Sequence, residues 1–214
     1  MKKEFSTKPA CITETWPGEL AMFSWMDCIA AIPTQLMVAT TWKSNGIANA
    51  CLQSWASFVS DESEFVCILG AVNKMGHFYQ TLKETGCCVI NFPSSEIADK
   101  CFKTIECNQF GTDEITASGL TIEKAIKVNA PRIAECFLNL ECEYLWEHQN
   151  FEKSGNTVVG LKIVHLGIDS ARYEHSNLDR YGKTGYISYI YAPRNPETGA
   201  IDDVSFGTTE THKK

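Results

Sequence analysis

No stretch of this sequence reaches the roughly 18 apolar residues that a membrane-spanning helix requires. Lys2 and Lys3 near the start are followed by no apolar core, so no secretory signal is expected. Basic runs are also missing. With 19 Lys and Arg against 26 Asp and Glu, the formal charge is −7, which disfavours nucleic acid and anionic membrane as partners. These absences predict a soluble, cytoplasmic protein with no nucleic-acid or membrane partner. The chain shows no internal repeat and no low-complexity linker. Its 214 residues suit one barrel-sized domain with appendages better than two full domains.

Self-sufficient catalytic motifs are lacking too. There is no Gly-x-Ser-x-Gly, no His-Glu-x-x-His, no phosphate loop of the Gly-x-x-x-x-Gly-Lys type and no Gly-x-Gly-x-x-Gly after a strand. The five histidines (His77, His148, His165, His175 and His212) have no metal-ligand spacing. His165 alternates with apolar residues, which fits a satisfied core histidine better than a ligand. No residue is therefore assigned a catalytic acid–base or metal-binding role. The chemistry is expected to come from a borrowed cofactor.

Cysteine is plentiful instead. Ten are present, none as Cys-x-x-Cys and few beside histidine, which argues against zinc or an iron–sulfur cluster. Several lie in apolar runs such as Phe65–Leu69 and Cys87–Ile90, where Cys acts as a small buried hydrophobe. Without an export signal, reduced thiols are expected rather than a disulfide framework.

Pattern places several elements. Leu36–Trp42 is apolar and β-branched and reads as a strand. Lys43-Ser44-Asn45-Gly46 reads as a hairpin turn. Ile47–Trp55 continues as a strand or loop of small residues, and Glu64–Val72 is another strand. His77–Thr85 reads as a helix burying Phe78, Leu82 and Thr81, stopped by Gly86. Cys87–Phe92 reads as a buried strand. Glu96–Ile105 reads as a short helix with Ile97, Cys101 and Ile105 on one face. Leu138–Trp146 and Thr157–Leu166 read as strands, the second with Val159, Leu161, Ile163 and His165 on one side. The expected fold is mainly β, a barrel with helical crossovers. Residues 1–30 form an approach segment, 31–168 the barrel domain, and 169–214 an arm and tail. Thr208–Lys214 is expected to fray. Five tyrosines at 173, 181, 186, 189 and 191 crowd the arm. They fit a packed interface, or stacking against a planar ligand.

The stretch from Val38 to Trp55 carries the most chemical information. It is a strand, an Asn-Gly turn, then small residues that let the backbone approach a ligand and donate amides to phosphate oxygens. A tightly packed hairpin is the plainer reading of the same residues. The stretch resembles the opening motif of the flavin reductase-like family, which includes the flavoredoxins. The resemblance runs from about residue 30 to 168. It continues through Val59–Ser63, His77, Leu82–Asn91, Gly119-Leu120-Thr121, Ala130–Ile133, Leu140-Glu141-Cys142 and Gly155–Gly160. Glu62 and Ser63 stand where that family usually has two prolines, Phe78 replaces a threonine and Cys88 a phenylalanine.

The resemblance implies an FMN-binding split barrel working as a homodimer, with flavin near the subunit boundary. It implies that Asn49, Ala50, Cys51, Leu52, Gln53 and Ser54 line the FMN phosphate and ribityl chain, mostly through backbone amides. Trp55 lies near the flavin or serves the barrel core. Asn73, Lys74 and His77 complete the phosphate site, since a helix start favours anions; Lys74 reads equally as a solvated loop charge. Thr157 occupies the family's frequent histidine position, near flavin and nicotinamide. It can hydrogen-bond there but cannot become cationic. The implied activity is an NAD(P)H-dependent flavin reductase passing electrons from NADH or NADPH through flavin to free flavin or another acceptor. A flavoredoxin-type carrier serving redox-protein partners, and a flavin-binding protein without turnover, are the alternatives.

Overall fold

The Asn-Gly turn sets the first hairpin. Lys43 donates its amide to Ile47 (2.9 Å), and Gly46, at φ 79°, donates back to Lys43 (2.9 Å). The computed structural model describes residues 2–26, 32–149, 151–174, 180–191, 194–201, 203 and 205–212. Cys28, His175 and the 30/31 boundary lie outside them, as does the end of the tail.

The elements in chain order begin with α1 (Glu19–Met22), β1 (Thr34–Gln35), β2 (Met37–Trp42), β3 (Ala48–Gln53), β4 (Ala56–Asp61) and β5 (Glu64–Asn73). Next come α2 (His77–Thr85), β6 (Cys87–Phe92), a single 3-10 turn (Ser95–Ile97), α3 (Ala98–Glu106) and α4 (Glu114–Ala117). The chain continues through β7 (Ile122–Lys124), β8 (Pro131–Ile133), β9 (Leu138–His148), β10 (Asn156–Ile168), α5 (Ser170–Glu174), β11 (Gly182–Ile190) and β12 (Ser205–Thr209).

Seven strands form one antiparallel sheet in the order β3-β2-β6-β9-β10-β5-β4. Its two edge strands, β3 and β4, are joined by only Ser54 and Trp55, and Gly70 on β5 donates to the Trp55 carbonyl at 2.7 Å. Two residues cannot span an open sheet, so the sheet curls until its ends meet. The fold is thus mainly β, as expected. The core follows the period of two: Met37 and Ala39, Cys67 and Leu69, Cys88 and Ile90, and Val159 and Leu161 point inward. Phe78 and Leu82 of α2 pack against the same core, with Thr81 also buried. The helix ends at Gly86, which is left-handed (φ 70°) and donates to Leu82.

Three expectations need correction. Ala56–Asp61, unmarked by pattern, is a strand. It is an edge strand of which only Ala56 is half-buried, too little to betray it, and it turns into β5 at Glu62 (φ 51°) and Ser63. On α3 the buried face is Ala98, Cys101 and Thr104, while Ile105 is 56% exposed. His165 does not follow Val159 and Leu161 into the core. The β9–β10 ladder slips between Ile163 and His165, leaving the histidine half-buried in an open apolar groove.

The C-terminal arm is more ordered than its polarity suggests. β11 and β12 join β1 in a second sheet, so Thr208 and Thr209 belong to a strand. The tyrosines divide. Tyr186 packs edge-on against Phe137 (4.9 Å) and Phe92 (5.7 Å), whereas Tyr173 is exposed. The nine described cysteines are all free thiols. Burial pushes Cys101 up to about 12 and raises Cys67 and Cys136, and a bond with the Cys142 thiol, aided by burial, raises Cys88, so these are packing groups, not nucleophiles. Among the described residues no helix is long and apolar enough to cross a membrane, and no group of His, Cys, Asp and Glu is arranged to hold a metal.

Candidate functional site

A cleft of about 420 Å³ opens beside edge strand β3, within the usual range for small-molecule sites. One wall is Asn49 to Trp55. A second is Gly70 to Asn73, and the start of α2 (Gly76, His77, Phe78) closes one end with Thr104, Ile105 and Asn108. Met22, Phe23, Tyr189 and Tyr191 form the side away from the barrel. A wider apolar groove of about 780 Å³ lies elsewhere, lined by Phe58, Phe65, Leu166 and other mostly apolar groups. The smaller cleft is the better candidate because strained backbone and an unpartnered polar atom converge on it.

The strain lies in β5. Ala71 has φ 51°, a left-handed conformation uncommon outside glycine. Its cause is a bulge: Thr157 pairs with Val72 and Val159 with Leu69, so β5 carries one extra residue. The bulge turns the Gly70–Ala71 backbone toward the cleft.

Main-chain donors on β3 are fewer than the sequence implies. Lys43 and Ile47 form a hydrogen-bonded pair at the hairpin base, and pairing alternates along an antiparallel ladder. Asn49, Cys51 and Gln53 therefore use their amides on β2. Ala50 points its amide outward, where Glu114 accepts it at 2.5 Å. Of the β3 residues lining the cleft, Leu52 alone keeps an amide aimed at the open edge.

Glu114 was not legible as part of this region. It is fully buried at the start of α4, a turn capped by Asp113 on the Thr116 amide (3.0 Å). That Asp-x-x-Thr cap was the available signal. Glu114 Oε1 accepts from Lys43 Nζ at 2.8 Å, and the same ammonium donates to the Gln109 and Thr112 carbonyls (3.0 and 2.8 Å). Both charges are thus paired and saturated, the condition under which burial is tolerated. His77 Nδ1 stands 3.8 Å from Glu114 Oε1, too far for a hydrogen bond. It is buried and, among the described residues, has no hydrogen-bond partner. The His77 ring meets Phe110 edge-on at 5.7 Å.

Asn49 is buried, and its side-chain amide donates to the Thr41 hydroxyl (3.3 Å). Thr41 and Thr81 share a hydrogen bond (2.6 Å), and Thr81 donates to the His77 carbonyl (2.8 Å). This chain of side chains ties β3 to the start of α2. Asn73 Oδ1 accepts the Met75 amide at 2.9 Å and shapes the turn into the helix. The first turn of α2 has no side-chain cap, so its amides are open to an anion. Cys51 has its thiol pushed up to about 11 by burial, partly offset by the Gln53 amide that donates to its sulfur at 3.2 Å.

Two expected residues stay outside. Lys74 is on the exposed side of the turn, donating to Gln149 Oε1 (2.8 Å), and its amide is bonded to Gly155 (2.9 Å). Thr157 is buried, with its hydroxyl on the His148 carbonyl at 3.0 Å. Neither lines the cleft. Asn49, Ala50, Cys51, Leu52, Gln53, Ser54, Trp55, Asn73 and His77 all do. Among the described residues no lysine or arginine lines it, so any anion there depends on helix amides and His77. Met22 and Phe23 reach the site from a remote segment that no local pattern reveals, while Tyr189 and Tyr191 of the tyrosine-rich arm, read as a packed interface or as stacking against a planar ligand, line it as well.

A family model described as "Flavin reductase like domain" matches residues 29–193. An uncharacterized protein of Methanothermobacter thermautotrophicus is 30% identical over 146 residues. That alignment covers 66% of each chain, so this chain spans slightly under two thirds of that relative's length. A protein with a split barrel domain from Shewanella frigidimarina NCIMB 400 superposes with a TM-score of 0.71 at 15% identity, covering 89% of both chains. The flavoredoxin of Desulfovibrio vulgaris (Miyazaki F) superposes with a TM-score of 0.65 at 16% identity, covering 86% of this chain and 91% of that one. These likenesses establish the split-barrel fold. The family match takes in the whole seven-stranded barrel and the cleft-lining tyrosines of the C-terminal arm, and the chain accordingly belongs to the flavin reductase-like family.

Proposed function

We propose that this chain is a cytoplasmic FMN-binding oxidoreductase that takes electrons from NADH or NADPH and passes them to free flavin or another acceptor. The observation that carries this reading is the uncapped start of α2 with the orphaned His77 Nδ1 beside it, at one end of a cleft with aromatic walls. Such an end suits a phosphate, because helix amides and a ring N–H can both donate to it. A mononucleotide that ends in phosphate fits better than one that continues to adenosine. Asn73 and His77 hold the phosphate in this reading, Asn49 braces the helix start, and Leu52 offers its amide. Cys51, Gln53, Ser54 and Trp55 border the ring.

When bound, the flavin supplies hydride acceptance and electron release. The residues of this chain need supply no acid or base for that step. Their task is to orient the ring, keep water from it, and stabilise negative charge through main-chain donors. Lys74 and Thr157 have no part in this arrangement.

The exposed apolar side chains Phe58, Val59 and Phe65 on the β4–β5 hairpin support a second copy of the chain as partner. Light scattering at dimer mass is the expected result.

A second reading, an electron carrier with permanently held FMN and a redox-protein partner, is favoured by Thr157. Its hydroxyl is sealed against His148, so the position offers nothing to an incoming nicotinamide. The visible spectrum of the purified protein, followed by anaerobic titration with NADH and NADPH, separates the readings. Yellow protein bleached by a pyridine nucleotide supports the reductase. Yellow protein bleached only by a reduced redox protein supports the carrier. Protein that stays colourless after incubation with FMN and FAD overturns both.

A further inference from the structure

The barrel supplies only part of the cleft's lining; the rest comes from the two arms, which meet through one buried ion pair. Arg194 donates to Glu19 Oε1 at 2.5 Å, joining positions 175 apart in the chain. Glu19 is 5% exposed and Arg194 4%. The other carboxylate oxygen accepts the Thr15 amide (2.6 Å) and hydroxyl (2.7 Å), and Arg194 also donates to the Thr13 carbonyl (2.5 Å). A buried charge so fully satisfied is stable while both partners remain, and costly once one is removed.

The cleft walls lie immediately beside this pair in both arms. Met22 and Phe23 follow Glu19, and Tyr191 precedes Arg194. Phe23 contacts Tyr191 (ring centroids 5.9 Å apart), and Tyr191 contacts Tyr189 (5.9 Å). Met22 is pinned to the barrel, its carbonyl accepting from Asn156 Nδ2 at 3.0 Å. A further contact fixes the arms. Cys11 donates its thiol to the Pro196 carbonyl (2.9 Å), and a Cβ on Gly199 would stand 2.3 Å from the Cys11 carbonyl oxygen. Most other residues from 2 to 26 are exposed. The N-terminal arm is thus held at a few points, and can open without unfolding the barrel.

We propose that the two arms form a latch over the cleft, locked by the Glu19–Arg194 pair, that retains the flavin as a resident group by closing its exit with Phe23 and Tyr191. This rests on the flavin reading above and adds that Glu19 and Arg194 are positioning residues, acting on the ligand through the aromatic wall. A passing flavin substrate would need that wall open in every cycle; a resident one is served by keeping it shut.

The test is the rate of FMN release, followed as recovery of flavin fluorescence after dilution of the full-length loaded protein. Three variants are compared with the parent: Glu19→Gln, Phe23→Ala, and the double change Glu19→Leu/Arg194→Met, which replaces the ion pair by apolar groups of similar size. The melting temperature of the flavin-free protein is measured in parallel. The expected result is release at least about tenfold faster from Glu19→Gln and Phe23→Ala, with slow release retained by the double variant, because closure and not charge is what matters. Release at the parental rate from folded Glu19→Gln and Phe23→Ala overturns the latch, as does a double variant that releases as fast as Glu19→Gln. If Glu19→Gln fails to fold, Phe23→Ala decides alone. A parent that binds no flavin overturns the functional reading, and the latch's role with it; a parent that binds flavin, with variants that do not differ, overturns the latch alone.

Discussion

In the barrel, β6 is buried along all six of its residues and pairs with β2 on one side and β9 on the other. In the N-terminal arm, Ile12 is fully buried but stands amid exposed neighbours, and Glu19 with Arg194 supplies the main link to the other arm. The barrel is thus secured by many apolar contacts that fail together. The N-terminal arm is secured at a few points, its buried ion pair with Arg194 among them, and each can fail alone. Apolar burial is non-directional and tolerant of small shifts, whereas a buried ion pair is lost as a unit when one partner changes. The cleft lies on the boundary between these regimes, with one rigid wall and one that can move.

The strongest challenge to that contrast is a core truncation. Leu161→Ala removes a fully buried side chain of β10 and is expected to cost about 2–5 kcal/mol, read as a lower midpoint in urea unfolding. All barrel probes should shift together, while an arm tryptophan such as Trp16 reports arm opening ahead of them. Trp16 following the barrel transition throughout would show that the arms have no independent opening.

His77→Ala is expected to weaken FMN binding by about ten- to a hundredfold, the equivalent of about 1.5–3 kcal/mol for a hydrogen bond to a charged group. Because His77 lines the cleft and its Nδ1 has no partner among the described residues, the melting temperature of the flavin-free protein should change little. Isothermal titration with FMN and with riboflavin checks the assignment. Equal losses for both ligands would remove His77 from the phosphate end.

Acid should separate the regions further. Burial alone would raise the Glu19 carboxyl, but the Thr15 amide and hydroxyl and the Arg194 guanidinium outweigh it and hold it below 4.5. A carboxyl depressed on folding stabilises the folded state above its unfolded value. That contribution is lost as the pH falls below 4.5 through the folded value. Arm docking should therefore weaken on acidification, seen as faster hydrogen exchange in residues 10–26 and 189–201. The barrel has its own depressed carboxyl. Glu141 is buried, which raises it, but it accepts the Ile126, Lys127 and Val128 amides and pairs with Arg132, which lowers it. Simultaneous loss of protection in both regions would mean that the arms have no independent opening.

The smallest effect is expected at Lys74→Glu. Among the described residues this half-buried side chain bonds Gln149 alone, so stability should stay within about 0.5 kcal/mol and FMN affinity within about twofold of the parent. A tenfold loss of affinity would return Lys74 to the phosphate site.

Legibility followed the same division. The helix from His77 to Thr85 and the strand from Cys87 to Phe92 were readable to the residue, because Gly86 separates a period of 3.6 from a solid apolar run. Strand β4 was not, since five of its six residues face solvent and carry no alternation. Asn49 to Trp55, Asn73 and His77 line one cleft. The availability of their amides was not predictable. Whether Ala50 donates to a ligand or to Glu114 depends on α4 being folded against β3 from 64 residues away. Thr157 shows the converse: its place in the strand was legible, but its hydroxyl is committed to the neighbouring strand.

Sequence by itself determined the barrel, because alternating apolar residues, turn glycines and cysteines in apolar runs act through neighbours a few positions away. Tertiary structure alone decided which donors face the cleft and what covers it. Those outcomes depend on pairings such as Glu114 with Ala50 and Glu19 with Arg194, in which each residue is an ordinary charged or small side chain until a distant segment is brought against it.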